Sequence, residues 1–172
     1  MALAPFFDRI YGAVGMHLSV SRKSLADSLG SKVVGISCGP ELSTNEQVIA
    51  EMLVNLAARL YPILAIQGDS GNVQHLKQLA SAINPSIDFA VEAAGETNIC
   101  VGRIKVPEAL YPAAFGWVAR LGHSLPLGDG IENPYAASAA AAFAASELFR
   151  RIFLRSAPEP DRSNIAGRRR RR

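Results

Sequence analysis

An α/β domain built on a mainly parallel sheet is what this sequence predicts, and three observations predict it. Short apolar runs bounded by glycine and proline recur at Val33–Ser37, Ile63–Ile66 and Ile87–Val91. Amphipathic stretches of helical period fill the gaps between them. That alternation requires crossover connections, which place consecutive strands parallel. The composition is globular as well: 172 residues, 49% hydrophobic and 19% charged, enough for one domain and little more.

The chain opens with Phe6, Phe7, Ile10, Tyr11 and Val14 at helical spacing, so a short amphipathic helix is expected over 3–16. A second helical stretch, Ser21 to Leu29, ends at Gly30, a C′-type residue. Val33-Val34-Gly35-Ile36-Ser37 then reads as a buried strand. Ser43-Thr44-Asn45-Glu46 is a capping box, in which the Ser43 hydroxyl bonds the Glu46 amide while the Glu46 carboxylate reaches back. Behind it Val48, Ile49, Met52, Leu53, Leu56, Ala57 and Leu60 form one apolar stripe. Tyr61-Pro62 stops that helix, because a residue before proline avoids the α region. Ile63–Ile66 is a second strand, and Val73, Leu76, Leu79, Ala80 and Ile83 mark a helix closed by Asn84-Pro85. Ile87, Phe89 and Val91 alternate with polar or small residues, the period-two signature of a third strand.

Residues 93–131 are less regular. Ile99-Cys100-Val101 and Gly116-Trp117-Val118-Ala119 are strand candidates, with Pro107, Pro112 and Pro126 marking connections. Asn133-Pro134 starts a helix with asparagine as N-cap and proline at N1. It runs to about Leu154 and is alanine-dense from Ala136 to Ala145. Such a small-residue face packs either within its own chain or against another one. The expected organisation is one domain over 1–155 and a disordered, arginine-rich tail over 156–172.

Charge narrows the function classes. Lys+Arg is 18 against 15 Asp+Glu, but Arg168 to Arg172 supply five of the cations. Without them the balance is 13 against 15, a body of charge −2. A nucleic-acid-binding domain should carry its basic residues on the folded surface, so no specific nucleic acid is expected. The arginine run itself either attracts phosphate or acidic surfaces or is a solvated terminus. Arg59, Lys77, Arg103 and Arg120 interrupt every apolar run, so no membrane span is expected. The N-terminus lacks a basic region before a long apolar core, and a cytoplasmic protein is the expectation.

The candidate sites follow from the α/β reading. A Rossmann-like three-layer domain that binds phosphate places glycines after its first strand. Here that loop is Cys38-Gly39-Pro40-Glu41-Leu42-Ser43: one glycine remains, Pro40 removes a donor, and Glu41 puts a negative charge where phosphate would sit. Gly39 therefore belongs to a degenerate nucleotide site or to a structural turn. Asp69, just past the second strand, stands either where such folds hold ribose hydroxyls or as a helix cap. Cys38, at a strand end near a helix start, is a candidate thiolate or a small buried hydrophobe, and Cys100 sits inside an apolar strand. His17, His75 and His123 have no metal-ligand spacing, so no metal site is expected.

The order of these pieces resembles ThiF/E1-type adenylation domains of ubiquitin-activating systems over roughly residues 6–92. Phe7-Asp8-Arg9-Ile10-Tyr11-Gly12 followed by Leu29-Gly30-Ser31-Lys32-Val33-Val34-Gly35-Ile36 resembles the family's opening, an arginine-bearing helix before the first strand. Asp69 matches its ribose aspartate, and Ile83-Asn84-Pro85 its helix end. Active members have a glycine-rich loop where this chain has Gly39-Pro40-Glu41, and an arginine that Asn72-Val73-Gln74 lacks. Gly116-Trp117, then Asn133-Pro134-Tyr135-Ala136-Ala137 leading to Glu147-Leu148-Phe149-Arg150-Arg151, looks like the inactive N-terminal half of certain bacterial E1-like proteins.

The resemblance implies a non-catalytic scaffold that packs on an active ThiF/E1-like domain, or on a second copy, in a system that adenylates a ubiquitin-like protein. It implies no catalytic residue and no cofactor held by this chain. Arg9 would contact ATP in trans at the partner's site, and Gly39 and Asp69 would be remnants of a nucleotide site. Two other readings stand beside it: a stand-alone nucleotide-binding protein or enzyme using Cys38 and Asp69, and a truncated remnant of a longer ThiF-family protein.

Overall fold

The computed structural model describes Asp27, residues 30–125 and residues 131–156. The expected helix over 3–16 with Arg9, most of the stretch 21–29, Pro126 and the tail beyond Ser156 lie outside the described residues. Gly30 is helical rather than a left-handed cap, and the Ser31 N–H donates to the Asp27 carbonyl at 3.2 Å.

Four parallel strands, β1 (Val33–Cys38), β2 (Ile63–Gln67), β3 (Asp88–Phe89) and β4 (Asn98–Val101), form one sheet in the order β3-β2-β1-β4. Val33 pairs with Ile63, Gly35 with Asn98, and Ile63 with Asp88. Helix α1 (Thr44–Leu60) carries the chain from β1 to β2, and α2 (Ser70–Ile83) from β2 to β3. A 3-10 turn (Gly95–Thr97) leads into β4. An antiparallel hairpin of β5 (Tyr111–Phe115) and β6 (Val118–Gly122) follows, then α3 (Pro134–Ser156).

The fold is the predicted Rossmann-like α/β arrangement, with a parallel sheet between a helical layer and an irregular one. Alternating residues explain the layers. Val34, Ile36 and Cys38 of β1, Leu64 and Ile66 of β2, and Ile99 and Val101 of β4 share one core with α1, α2 and α3. Each fully buried Ile or Leu there contributes about 1.5–3 kcal/mol. On the other face Cys100 packs with Ala109, Tyr111, Ile104 and Val106, so the segment between β4 and β5 covers that end of the sheet. The Tyr111 hydroxyl pins this segment by accepting from the Val106 N–H at 2.8 Å and donating to the Val106 carbonyl at 2.9 Å. Beside it the sheet is polar: the Ser37 hydroxyl, fully buried, donates to Asn98 Oδ1 at 3.0 Å.

Four expectations need correction. Helix α1 buries Asn45, Ile49, Ala50, Leu53, Val54, Ala57 and Ala58, because it lies between α2 and α3 as well as on the sheet; Val48, Met52 and Leu60 are flanking contacts. Strand β3 ends at Phe89, paired only with Ile63 and Leu64, and Val91 is 86% exposed, its carbonyl accepting from the Gln67 side chain at 3.0 Å. Gly116-Trp117 is the two-residue turn of the hairpin and not a strand, with φ +53° at Gly116 as a type II′ turn requires. Pro112 lies inside β5, opposite Leu121.

Candidate functional site

Strand order reverses at β1: the chain moves outward through β2 and β3, then returns to β4 on the other side. In open α/β sheets the crevice at the carboxyl ends of the two strands flanking such a reversal is where ligands bind. Here those ends are the Cys38-Gly39 loop and the Gly102-Arg103 loop.

The two loops close on one another. The Gly39 N–H donates to the Val101 carbonyl at 2.8 Å. A Cβ at Gly39 would stand 2.7 Å from the Arg103 backbone nitrogen. Gly102 has φ +79°, a conformation that favours glycine, and a Cβ there would meet the flexible end of Leu42 at 2.8 Å. Glycine at position 39 is needed for contact between the chain's own loops.

The N-terminus of α1, where the fold would hold an anion, is satisfied from within. Ser43 N–H and Ser43 Oγ donate to Glu46 Oε2 at 2.8 and 3.0 Å, and the Glu46 N–H approaches Ser43 Oγ at 3.5 Å. A carboxylate of the same chain thus occupies the positive end of the helix dipole. The segment before α3 seals the flank: Thr44 Oγ1 donates to Glu132 Oε1 at 2.7 Å, and the Asn133 N–H to Asn45 Oδ1 at 2.8 Å. Nothing in the sequence marks Asn45 for this role, because its partner lies 88 residues away.

Asp69 stands at the carboxyl end of β2, next to the Gly39 loop, and its Oδ2 accepts from the Gly71 N–H at 3.0 Å as the N-cap of α2. Gly39 and Asp69 are therefore brought to one edge of the sheet, and Arg9 lies outside the described residues. Both cysteines are in the core, at 2% and 1% exposure. Burial pushes the Cys38 thiol up to about 12, with Cys100 and Glu46 adding to the shift, and burial pushes Cys100 up to about 11. His75 Nε2 meets Glu51 Oε1 at 2.9 Å on the surface, and His123 Nδ1 meets Arg151 Nη2 at 3.1 Å. Among the described residues no three His, Cys, Asp or Glu side chains gather as a metal site needs.

Sequence reasoning misses a junction at Arg151. Its guanidinium donates to Glu147 Oε1 at 3.2 Å, to the Glu96 carbonyl at 3.4 Å and to the Glu108 carbonyl at 3.2 Å. One side chain of α3 thus ties down the 3-10 turn and Glu108, whose φ of +62° is the one positive value at a described non-glycine residue. Arg150 and Arg151, by their hydrogen bonds, hold the Glu147 carboxyl down to about 2.

A sequence model described as Prokaryotic E2 family C matches residues 36–154, from the first strand into the last turns of α3. The chain belongs to that family. Its description ties this family C chain to bacterial ubiquitin-like conjugation, on the E2 or conjugating side, whereas the resemblance carried by its motifs points to the activating side. An uncharacterized protein, y4jF of Sinorhizobium fredii (strain NBRC 101917 / NGR234), is 32% identical over 165 residues, covering 89% of this chain and 32% of y4jF. The family C chain thus spans about a third of the length of the curated relative it matches. A conjugating enzyme that carries its modifier as a thioester needs a reachable thiolate. The two cysteines of this family C chain offer none, being buried and held as neutral thiols. No helix among the described residues is long and apolar enough to cross a membrane.

Proposed function

We propose that this domain is a non-catalytic scaffold in a bacterial ubiquitin-like conjugation system, packing on an active ThiF/E1-like adenylation domain. The observation that carries the reading is the closed crevice at the strand reversal. Gly39 and Gly102 bring two backbone loops together where an adenylating domain needs room for phosphate, and Glu46 neutralises the helix end that would receive it. Membership of a conjugation-associated family supplies the context, and the buried thiols argue against thioester chemistry by this chain. The same burial weighs against a stand-alone enzyme using Cys38 and Asp69.

On this reading ATP binds at the partner's site and Arg9 reaches its phosphates in trans. A planar guanidinium suits that role because it meets phosphate oxygens through two parallel hydrogen bonds. The test is ATP–pyrophosphate exchange by an active ThiF/E1-like domain reconstituted with this chain and a ubiquitin-like protein. Adding the chain raises exchange, and Arg9→Ala lowers that gain by about tenfold, which corresponds to about 1.4 kcal/mol of transition-state stabilisation from one charged hydrogen-bonding group. Exchange that ignores the added chain overturns the scaffold role, and exchange that ignores Arg9→Ala removes the arginine from it.

A further inference from the structure

The outer surface of α3 carries no charge for four turns. From Asn133 to Ser146 every residue is uncharged, although Tyr135 is 76% and Phe143 54% exposed. Burial within the chain accounts for one side of the helix only: Ala136, Ala137, Ala140, Ala141 and Ala144 face the core. Solvent-facing helix surfaces ordinarily carry charge, and a bare one that also presents aromatic rings marks a contact surface.

The patch extends beyond the helix. Trp117, at the tip of the β5-β6 hairpin and 83% exposed, lies parallel to Tyr135 with ring centroids 6.4 Å apart and planes within 6°. The Gly116 N–H donates to the Ile131 carbonyl at 3.2 Å, which sets exposed Ile131 beside the hairpin tip, and Val118 continues the surface along β6. At about 150–250 Å² per full aromatic side chain, the three rings leave roughly 400 Å² in water. With Ile131 and Val118 the face reaches about 600 Å², the upper end for a monomer's largest apolar patch.

We propose that this face is the two-fold interface between two copies of the chain. The spacing selects that occupant. Tyr135, Ala139 and Phe143 lie at i, i+4 and i+8, with the small residue in the middle. An antiparallel pair of α3 helices with its axis at Ala139 sets Tyr135 of one copy against Phe143 of the other, and the same contact recurs at the far end. Such self-complementarity is what an isologous interface requires. Ridges spaced by four residues interdigitate at a crossing near −50°, and alanine at the crossing point lets the axes approach to about 8 Å. Residues 133–146 bring no charge to the helix–helix contact, so no penalty of that kind opposes association there. Two faces of about 600 Å² give a total near 1,200 Å², the lower bound for a specific, stable interface. The dimer is read from this exposed face alone and its test uses no adenylation partner, so it stands or falls independently of the scaffold reading.

Sedimentation velocity on the full 172-residue chain across a concentration series tests it. The chain is expected to sediment as a dimer of its 18.3 kDa subunit. Phe143→Glu, which buries two carboxylates in the interface, gives a monomer, and Trp117→Ala weakens dimerisation by about tenfold, as truncation of an aromatic anchor does. Both positions are solvent-exposed, so the circular dichroism of the variants matches the parent chain, and their cooperative unfolding is retained with a midpoint that no longer rises with protein concentration. A wild-type chain that stays monomeric throughout the series overturns the proposal, and so does a dimer that survives Phe143→Glu.

Discussion

Cys38 illustrates how one residue type changes meaning with its surroundings. At a strand end before a helix it occupies the position where a thiolate would be favoured, yet it is buried, and burial first, then the charges of Cys100 and Glu46, disfavours its thiolate. Its thiol and that of Cys100 ionise near 12 and 11 in the folded chain, against an ordinary 9.0. Between pH 9 and 12 the unfolded chain releases thiol protons that the folded chain keeps, so stability falls as pH rises through that window. Urea unfolding midpoints measured upward from pH 9 should decline accordingly, and iodoacetamide should label the cysteines in urea but not in the native chain at neutral pH. Rapid native labelling would make Cys38 a candidate nucleophile again.

At the scale of elements, loops rather than helices decide the character of the site. The elements themselves are legible in the sequence, because capping boxes, X-Pro stops and β-branched runs act over a few residues: Ser43–Glu46, Asp69 and Asn133 all cap the helices their motifs announce. Contacts across the sheet are not legible. Gly39 against Arg103, Asn45 against Asn133 and Arg151 against Glu108 each join segments more than forty residues apart, and no local pattern encodes such a meeting. The hairpin turn at Gly116-Trp117 reads as a strand because Trp117, Val118 and Ala119 form an apolar run after the glycine, and β6 begins only at Val118. Gly39→Ala tests the closed crevice. Its new methyl meets backbone at 2.7 Å with no flexible side chain to yield, so the variant should lose about 1–3 kcal/mol in urea unfolding. An unchanged midpoint would mean that the loops can part, leaving room for a ligand.

For the whole molecule, a Rossmann-like α/β sheet brings its own loops together at the crevice where its strand order reverses. Helices α1, α2 and α3 share one core on one face of the sheet, and α3 covers β5 and β6 as well as α1. The net basic charge of the chain reduces to five terminal arginines on a body of charge −2. The family and the buried thiols are in keeping with the scaffold role proposed above. Calorimetric titration of the intact chain with Mg²⁺·ATP tests that most directly. The closed crevice predicts no saturable heat even at millimolar nucleotide, weaker than about −4 kcal/mol of binding. Saturable one-to-one binding with a micromolar dissociation constant would contradict it, and would make the domain an adenylating or nucleotide-sensing protein in its own right.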